Sequence, residues 1–396
     1  MMNPDLSLTQ PYPFTRLKKL LENSSLPTDL RHIALSIGEP KHDVPAVVLE
    51  ALTSNLLLLG KYPTTSGSLK LKEAIANWIQ RRYGVTLDPN SQILPCSGSR
   101  EALFSIVQAT VDRTKNPIVA MPAPFYQIYE GASFMSGAQP LYIACTAETG
   151  FALDLDSVSD AEWKRVQFLF VCSPSNPTGK VLKLEDWKKL FELSDRYGFI
   201  IGSDECYSEI YFDESQPPLG ALEACRLLGR DSFHNILVFS SLSKRSNVPG
   251  MRSGFVAGDA SILKPYLLYR TYQGCAMSGV FQEASIAAWN DEAHVIENRR
   301  LYREKFETAL PLISKTLDVQ MPDASFYLWA KTPIDDELYA KRLYEEKAIT
   351  VLPGSYLSRE INGVNPGKGY VRIALVATTD EVREASQRIS EFDLTR

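Results

Sequence analysis

The stretch Ile236-Leu-Val-Phe-Ser-Ser-Leu-Ser-Lys244 decides the fold prediction, because an apolar run ends in a hydroxyl-rich turn and a lysine. Four successive apolar residues followed by polar turn residues are typical of a buried strand in a parallel sheet. Ligands of such sheets bind beyond the carboxyl ends of the strands. We therefore expect Lys244 at a binding edge, although most lysines in proteins are solvated surface residues.

Two further charged residues follow or end the same kind of run. Asp204 ends the apolar segment 199–204, and Arg252 lies in the turn 249–254. An amine, an arginine and a carboxylate at strand ends meet the needs of pyridoxal phosphate. Lys244 would hold the aldehyde as a Schiff base, Arg252 the phosphate and Asp204 the ring nitrogen. The alternative for Asp204 is a helix N-cap.

Three more residues are candidates for holding the cofactor ring. The loop 173–179, Ser-Pro-Ser-Asn-Pro-Thr-Gly, follows an apolar strand, and its prolines and glycine hold Asn176 in a fixed turn. Asn176 and Tyr207 could both bond the ring oxygen, and Tyr126 could stack on the ring face. The alternatives are a plain turn asparagine and tyrosines packed in the core.

The segment Ser97-Gly98-Ser99-Arg100 predicts an anion site, because a glycine turn there runs into a helix. Backbone N–H groups at a helix N-terminus bind phosphate, and Ser241 and Arg252 would complete the cup. A capping box is the alternative interpretation of the serines.

Arg372 is the candidate for the substrate carboxylate. It lies inside an apolar strand pattern, 370–375, where a charge needs a partner. A structural salt bridge is the alternative. The turn 37–40 contains Gly38, whose backbone could touch the same carboxylate, and Asn176 completes the predicted substrate site.

Composition excludes several classes of function. The chain has 396 residues, a net charge of −5, 44% apolar residues and 22% charged residues. Interspersed charges argue against nucleic-acid binding, and no apolar stretch is long enough for a membrane helix. We expect no secretory signal, and six scattered cysteines indicate reduced thiols in the cytoplasm. Four histidines without ligand spacing predict no metal site.

The order of elements predicts an α/β fold with two domains. A large domain, 46–290, would hold a mostly parallel sheet flanked by helices, including the helix Leu184–Tyr197. A smaller α+β domain would combine residues 1–45 and 291–396. The predicted strands of the large domain are Ile118–Met121, Leu141–Ile143, Gln167–Cys172, Phe199–Ser203, Ile236–Ser240 and Phe255–Ala257. The predicted elements of the small domain are a helix around 14–21, a helix 292–317, strands 326–330, 348–352 and 370–375, a helix 336–346 and a helix from 379.

Together these motifs resemble the class I/II aminotransferases, the fold-type I pyridoxal phosphate enzymes, from about Ile37 to Leu375. The motifs that carry the resemblance are Gly38-Glu-Pro40, Tyr62 ahead of Gly67, Ser175-Asn-Pro-Thr-Gly179, Asp204-Glu-x-Tyr207 and Ser243-Lys244.

The resemblance implies an enzyme with amino acid and 2-oxo acid substrates that works as a homodimer with shared active sites. Tyr62 would reach the phosphate of the partner subunit's cofactor. Lys244 would be the catalytic base once the substrate amine displaces it. The family's pattern leaves Phe125 as an alternative to Tyr126 for the stacking position.

The segments Met2–Phe14 and Tyr269–Ser278 are similar to one subgroup, the proteobacterial succinyldiaminopimelate aminotransferases of lysine biosynthesis. Their substrates carry several carboxylates, so a cation beyond Arg372 is expected, and Arg270 is one candidate. The alternatives are an aspartate, aromatic or kynurenine aminotransferase or a C–S β-lyase. A more distant alternative is a regulatory module that keeps the fold without catalysis.

Overall fold

The computed structural model describes residues 2–393. Residue 1 and residues 394–396, which the prediction assigns to the small domain, lie outside the described residues. The strands of the described range, numbered in chain order, are β1 (Ile33–Ala34), β2 (Ile93–Cys96), β3 (Ile118–Ala123), β4 (Gln139–Ala144), β5 (Val166–Cys172), β6 (Ile200–Asp204), β7 (Ile236–Ser241), β8 (Gly254–Gly258), β9 (Tyr327–Lys331), β10 (Ile349–Thr350), β11 (Leu352–Pro353) and β12 (Tyr370–Ala374).

Helices separate most of these strands. The α-helices are α1 (Pro13–Leu20), α2 (Ala46–Ser54), α3 (Leu69–Tyr83), α4 (Ser99–Thr110), α5 (Gln127–Met135), α6 (Asp160–Trp163), α7 (Leu184–Tyr197), α8 (Ala221–Leu227), α9 (Leu242–Arg245), α10 (Ala260–Gln273), α11 (Gly279–Asn290), α12 (Ala293–Ile313), α13 (Asp336–Lys347) and α14 (Thr379–Ser390). The predicted helix 184–197 is α7 with the same bounds, and its Trp187, Leu190 and Phe191 are buried on one face.

The large sheet has the strand order β2-β8-β7-β6-β5-β3-β4. Strands β4, β3, β5, β6 and β7 pair in parallel, and β8 is antiparallel to both of its neighbours. The prediction of a mostly parallel α/β sheet is therefore confirmed. The edge strand β2 was not predicted, because its sequence Ile-Leu-Pro-Cys is short and contains a proline.

The carboxyl ends of the parallel strands bring distant residues to one edge of the sheet. Cys172 at the end of β5 is the register partner of Asp204 at the end of β6. Asp204 in turn pairs with Phe239 of β7, which continues into α9 and Lys244. Parallel register thus places the 173–179 loop, Asp204 and Lys244 side by side.

The last third of the chain builds smaller sheets. Strands β11, β12 and β9 form an antiparallel sheet, and β10 pairs in parallel with β1. The prediction of one continuous strand over 348–352 is wrong, because the chain passes from one sheet to the other at Val351. The domain boundaries remain a prediction. Helix α1 packs its buried Leu17 with Trp329, Leu352 and Tyr356.

Candidate active site

A cavity of about 520 Å³ opens at the carboxyl edge of the large sheet. Predicted site residues from every part of the chain line this cavity. Those that line it are Gly38, Ser99, Arg100, Tyr126, Asn176, Asp204, Tyr207, Ser241, Lys244, Arg252 and Arg372. The cavity therefore lies where the sequence predicts a binding site, at the ends of the strands.

Lys244 lies in the short helix α9, and its Nζ donates a hydrogen bond to the carbonyl of Gly38. Burial lowers the pKa of the amine to about 8, and the nearby charges of Arg372 and Arg100 act in the same direction. An amine is a nucleophile and a base only when it is neutral. The site therefore gives Lys244 a much larger neutral fraction at neutral pH than an exposed lysine has.

We expect covalent attachment of pyridoxal phosphate to the cofactor-free protein to become faster as pH rises through about 8 and to level off above it. Because the pKa is lowered, about 10% of Lys244 is neutral at pH 7, against about 0.03% for an ordinary lysine. Stopped-flow absorbance from pH 6 to 10.5 measures this rate. A rate that keeps climbing through pH 10 would show that the cavity does not perturb the amine.

Asp204 is a buried carboxylate, 4% exposed, at the end of β6. The Tyr129 hydroxyl donates to its Oδ2 at 2.7 Å, and the Cys206 backbone N–H donates to Oδ1 at 3.3 Å. Both donors are neutral, and burial raises the pKa of the carboxyl. A protonated ring nitrogen is the kind of cation that this carboxylate lacks, so the residue fits its predicted role.

Arg372 is also buried, 4% exposed, on the face of β12 opposite the apolar core. Its Nη1 donates to Asn176 Oδ1 at 2.9 Å, its Nη2 donates to the Ser36 carbonyl at 2.7 Å, and its guanidinium lies 4.4 Å from the centre of the Tyr327 ring. These partners are neutral, and Nε has no partner among the described residues. No carboxylate pairs with Arg372 among the described residues, so its charge remains available for a ligand carboxylate.

Gly38, Tyr207 and Tyr327 form one wall of the cavity. The Tyr207 and Tyr327 hydroxyls lie 3.0 Å apart. A Cβ on residue 38 would lie 1.9 Å from the Tyr327 hydroxyl, so only glycine fits beneath it. Tyr327 was not predicted as a site residue, because it lies far from every motif in the sequence.

Ser241, Arg252 and the start of α4 form a cluster of donors. Gly98 has φ +85°, and a Cβ there would lie 2.3 Å from Nη2 of Arg252, so this turn requires glycine. Ser241 Oγ bonds Ser243 Oγ at 2.8 Å, and Ser99 is the first residue of α4. A guanidinium, hydroxyls and a helix N-terminus together suit a phosphate dianion.

Tyr126 lines the cavity, whereas Phe125 is buried in the core and stacks on Tyr142 at 5.4 Å. The structure thus places Tyr126 and not Phe125 where a ring could stack. The Arg100 Nε donates to the Tyr126 hydroxyl at 2.7 Å, so the Arg100 side chain points along the cavity wall.

Four expectations differ from the cavity's composition. Gly98 does not line it, although the next residue, Ser99, does. Ser97 does not line it, and its backbone N–H bonds Glu101 at 2.9 Å. Tyr62 is fully exposed and lies outside it. Arg270, one candidate for the distal carboxylate, is buried, and its guanidinium pairs with Glu101 at 2.7 Å.

This fold and this site define a fold-type I pyridoxal phosphate enzyme. The chain belongs to the class I and II aminotransferases, since the family profile "Aminotransferase class I and II" matches residues 31–389. Members of this family use pyridoxal 5′-phosphate, and the protein is accordingly a pyridoxal phosphate-dependent aminotransferase with amino acid and 2-oxo acid substrates.

Individual relatives match nearly the whole chain. A crystal structure of an aminotransferase from Neisseria meningitidis is 53% identical, with a TM-score of 0.95 over 98% of this chain and 99% of that one. The LL-diaminopimelate aminotransferase of Maridesulfovibrio salexigens is 30% identical over 98% of each chain. The structure of a probable N-succinyldiaminopimelate aminotransferase from Thermus thermophilus is 26% identical, with a TM-score of 0.83 over 96% of this chain and 99% of that one.

Within residues 2–393, no helix is both long enough and apolar enough to cross a membrane. The same residues contain no group of three or more His, Cys, Asp or Glu side chains placed to hold a metal ion.

Proposed function

We propose that this aminotransferase is a succinyldiaminopimelate transaminase, which interconverts N-succinyl-LL-2,6-diaminopimelate plus 2-oxoglutarate and N-succinyl-2-amino-6-oxopimelate plus glutamate. Relatives named for diaminopimelate and for its N-succinyl derivative support this substrate class. The observation that carries the proposal is that two arginines lining one cavity, the buried Arg372 and the exposed Arg100, have no ion-pair partner among the described residues.

When bound, pyridoxal phosphate supplies the electron sink that makes the substrate α-proton acidic. The chain's residues do the rest. Arg372 and Asn176 hold the α-carboxylate, which fixes the α-carbon beside Lys244. Lys244, whose pKa burial lowers to about 8, would take the α-proton in its neutral form and return it to the cofactor carbon two atoms along, a 1,3-shift.

Other residues keep the ring in one orientation. Asp204 would hold a proton on the ring nitrogen through a charge-assisted bond, and the Tyr129 hydroxyl keeps that carboxylate in place. Asn176 and Tyr207 would bond the ring oxygen, and Tyr126 would stack on the ring. Ser241, Arg252 and the backbone N–H groups of residues 98–100 would bind the phosphate. These assignments rest on the positions of the side chains around the cavity.

The side chain of Arg100 is the proposed partner for the distal, succinylated end of the substrate. Its described hydrogen bond goes to a neutral hydroxyl, so the guanidinium still carries an unneutralised charge. The succinylated substrate offers carboxylates at that end, whereas free diaminopimelate also brings an ammonium that Arg100 would repel.

We also propose that the enzyme is a homodimer with shared active sites. The segment 56–62 exposes Leu56, Leu57, Leu59 and Tyr62. A run of large exposed side chains is typical of a surface that another subunit covers. A second copy would bring Tyr62 of one subunit toward the phosphate site of the other.

We further propose a cytoplasmic location, which the six free cysteines fit.

The test is a panel of amino donors with 2-oxoglutarate, in which glutamate formation is measured. We expect kcat/KM for N-succinyl-LL-2,6-diaminopimelate to exceed that for LL-2,6-diaminopimelate, aspartate, tyrosine or kynurenine by about 10²-fold. Arg100→Gln should lower it about 10-fold for the succinylated donor. Arg113→Gln, at an exposed arginine outside the cavity, is the matched control.

The rival activities give different results in the same panel. A preference for aspartate, tyrosine or kynurenine would replace the proposed substrate with one of those. Pyruvate and ammonia released from a β-thio amino acid would identify a C–S lyase.

A further inference from the structure

Lys305 is a buried cation for which the proposed mechanism has no use. It lies on α12, is 1% exposed, and bonds His42 Nε2 at 2.6 Å and the Val376 carbonyl at 3.4 Å. Both acceptors are neutral, and burial lowers the pKa of Lys305 to about 8. Charged side chains are rarely buried without a compensating charge, so this arrangement requires an explanation.

The contact with His42 continues as a chain of hydrogen bonds toward Lys244. His42 Nδ1 lies 2.7 Å from Asn298 Oδ1. Asn298 Nδ2 donates to the backbone carbonyls of Lys244 at 3.2 Å and of Arg245 at 3.3 Å. Asn298 and Lys305 are seven residues apart, so they lie on one face of α12. The intervening Tyr302 packs against His42, with the ring centres 4.6 Å apart and the ring planes tilted by 47°.

The direction of every bond in this chain is fixed by its two ends. Carbonyls only accept, so the amide nitrogen of Asn298 faces them and its oxygen faces His42. His42 Nδ1 must then carry the hydrogen, which leaves Nε2 as an acceptor for Lys305. Burial and the charge of Lys305 lower the pKa of His42 to about 4, so the ring stays neutral. Lys305 can donate whether or not it is charged, so the chain persists on both sides of its pKa.

This chain of hydrogen bonds constrains both the backbone and the side-chain amine of Lys244. Helix α9 is one turn long, and its last carbonyls have no partner within the helix. Asn298 bonds two of them and so fixes the backbone of Lys244. His42 anchors the segment that begins at Gly38, whose carbonyl accepts the hydrogen bond from Lys244 Nζ.

We propose that Lys305, His42 and Asn298 form a positioning relay that holds the backbone of Lys244 and the acceptor of its amine in one geometry. The inference rests on the proposed role of Lys244 in proton transfer. These residues touch neither substrate nor cofactor, and they act through Lys244.

The first test is spectroscopic and independent of any substrate. The full-length protein has only four histidines, so its histidine side-chain ¹⁵N spectra, recorded with and without cofactor, are simple. The signals that disappear in His42→Gln belong to His42. We expect the Nδ1–H tautomer, and we expect Lys305→Met to raise the pKa of His42 from about 4 toward its ordinary value. An Nε2–H tautomer in the unsubstituted protein would overturn the relay, even if the substrate assignment is correct.

The second test is a double-mutant cycle on kcat. Asn298→Leu and Lys305→Met should each lower kcat about 10-fold, leave KM within about two-fold, and combine with no further loss, because both act through one chain. Effects that multiply, or that follow the folded fraction measured by circular dichroism, would leave these residues a purely structural role. Lys72→Met, at a buried lysine outside the site, is the matched control and should keep kcat unchanged.

Discussion

Replacing Lys244 by alanine is expected to lower kcat by about 10⁴-fold, because general acid–base catalysis alone contributes up to that factor. Within the described part of the chain, Lys244 is the one lysine that lines the cavity. No neighbouring amine can therefore take over either the bond to the cofactor aldehyde or the transfer of the α-proton. Lys244→Arg should be equally inactive, since arginine keeps its charge and cannot act as a base.

The measurement combines single-turnover kinetics with glutamate and borohydride reduction of the loaded enzyme. Peptide mapping should locate the reduced label on Lys244 in the unsubstituted protein and find none in Lys244→Ala. The control is Lys188→Ala, at an exposed lysine of α7, which should retain both label and rate. Normal turnover by Lys244→Ala, or a label on another lysine, would remove Lys244 from the mechanism.

Residues at strand ends were predictable, because parallel pairing determines where the end of each strand lies in the fold. Lys244, Asp204 and Asn176 each follow an apolar run, and strands of one parallel sheet end at one edge. No knowledge of the loops was needed to bring these three side chains together.

Residues whose partners are distant in sequence could not be predicted in this way. Arg270 looked available as a cation, because nothing in its own segment shows that Glu101 of α4 pairs with it. Tyr129 was not predictable either. Its hydroxyl donates to Asp204 from a helix whose sequence pattern is that of ordinary core packing. Such contacts depend on how helices pack on the sheet, which periodicity does not define.

Replacing Asp204 by asparagine should leave the protein able to bind cofactor and should lower α-proton exchange from glutamate by about 10²-fold or more. Asparagine keeps the shape and can still accept from Tyr129, but it carries no charge to hold a proton on the ring nitrogen. Exchange in D₂O followed by proton NMR measures the step directly. Tyr129→Phe, which removes one 2.7 Å hydrogen bond and keeps the carboxylate, should have a smaller effect.

Asp204→Asn should also stabilise the cofactor-free protein, and this effect distinguishes a functional role of the carboxylate from a structural one. Burial raises the folded-state pKa of Asp204 above its ordinary value, so ionisation costs stability as pH rises through that window. Above the folded-state pKa the full cost is present, and asparagine removes it. A higher melting temperature of the cofactor-free Asp204→Asn protein, with slower exchange, is therefore expected. A lower melting temperature, or exchange at the original rate, would mean that the carboxylate serves the fold and not the cofactor.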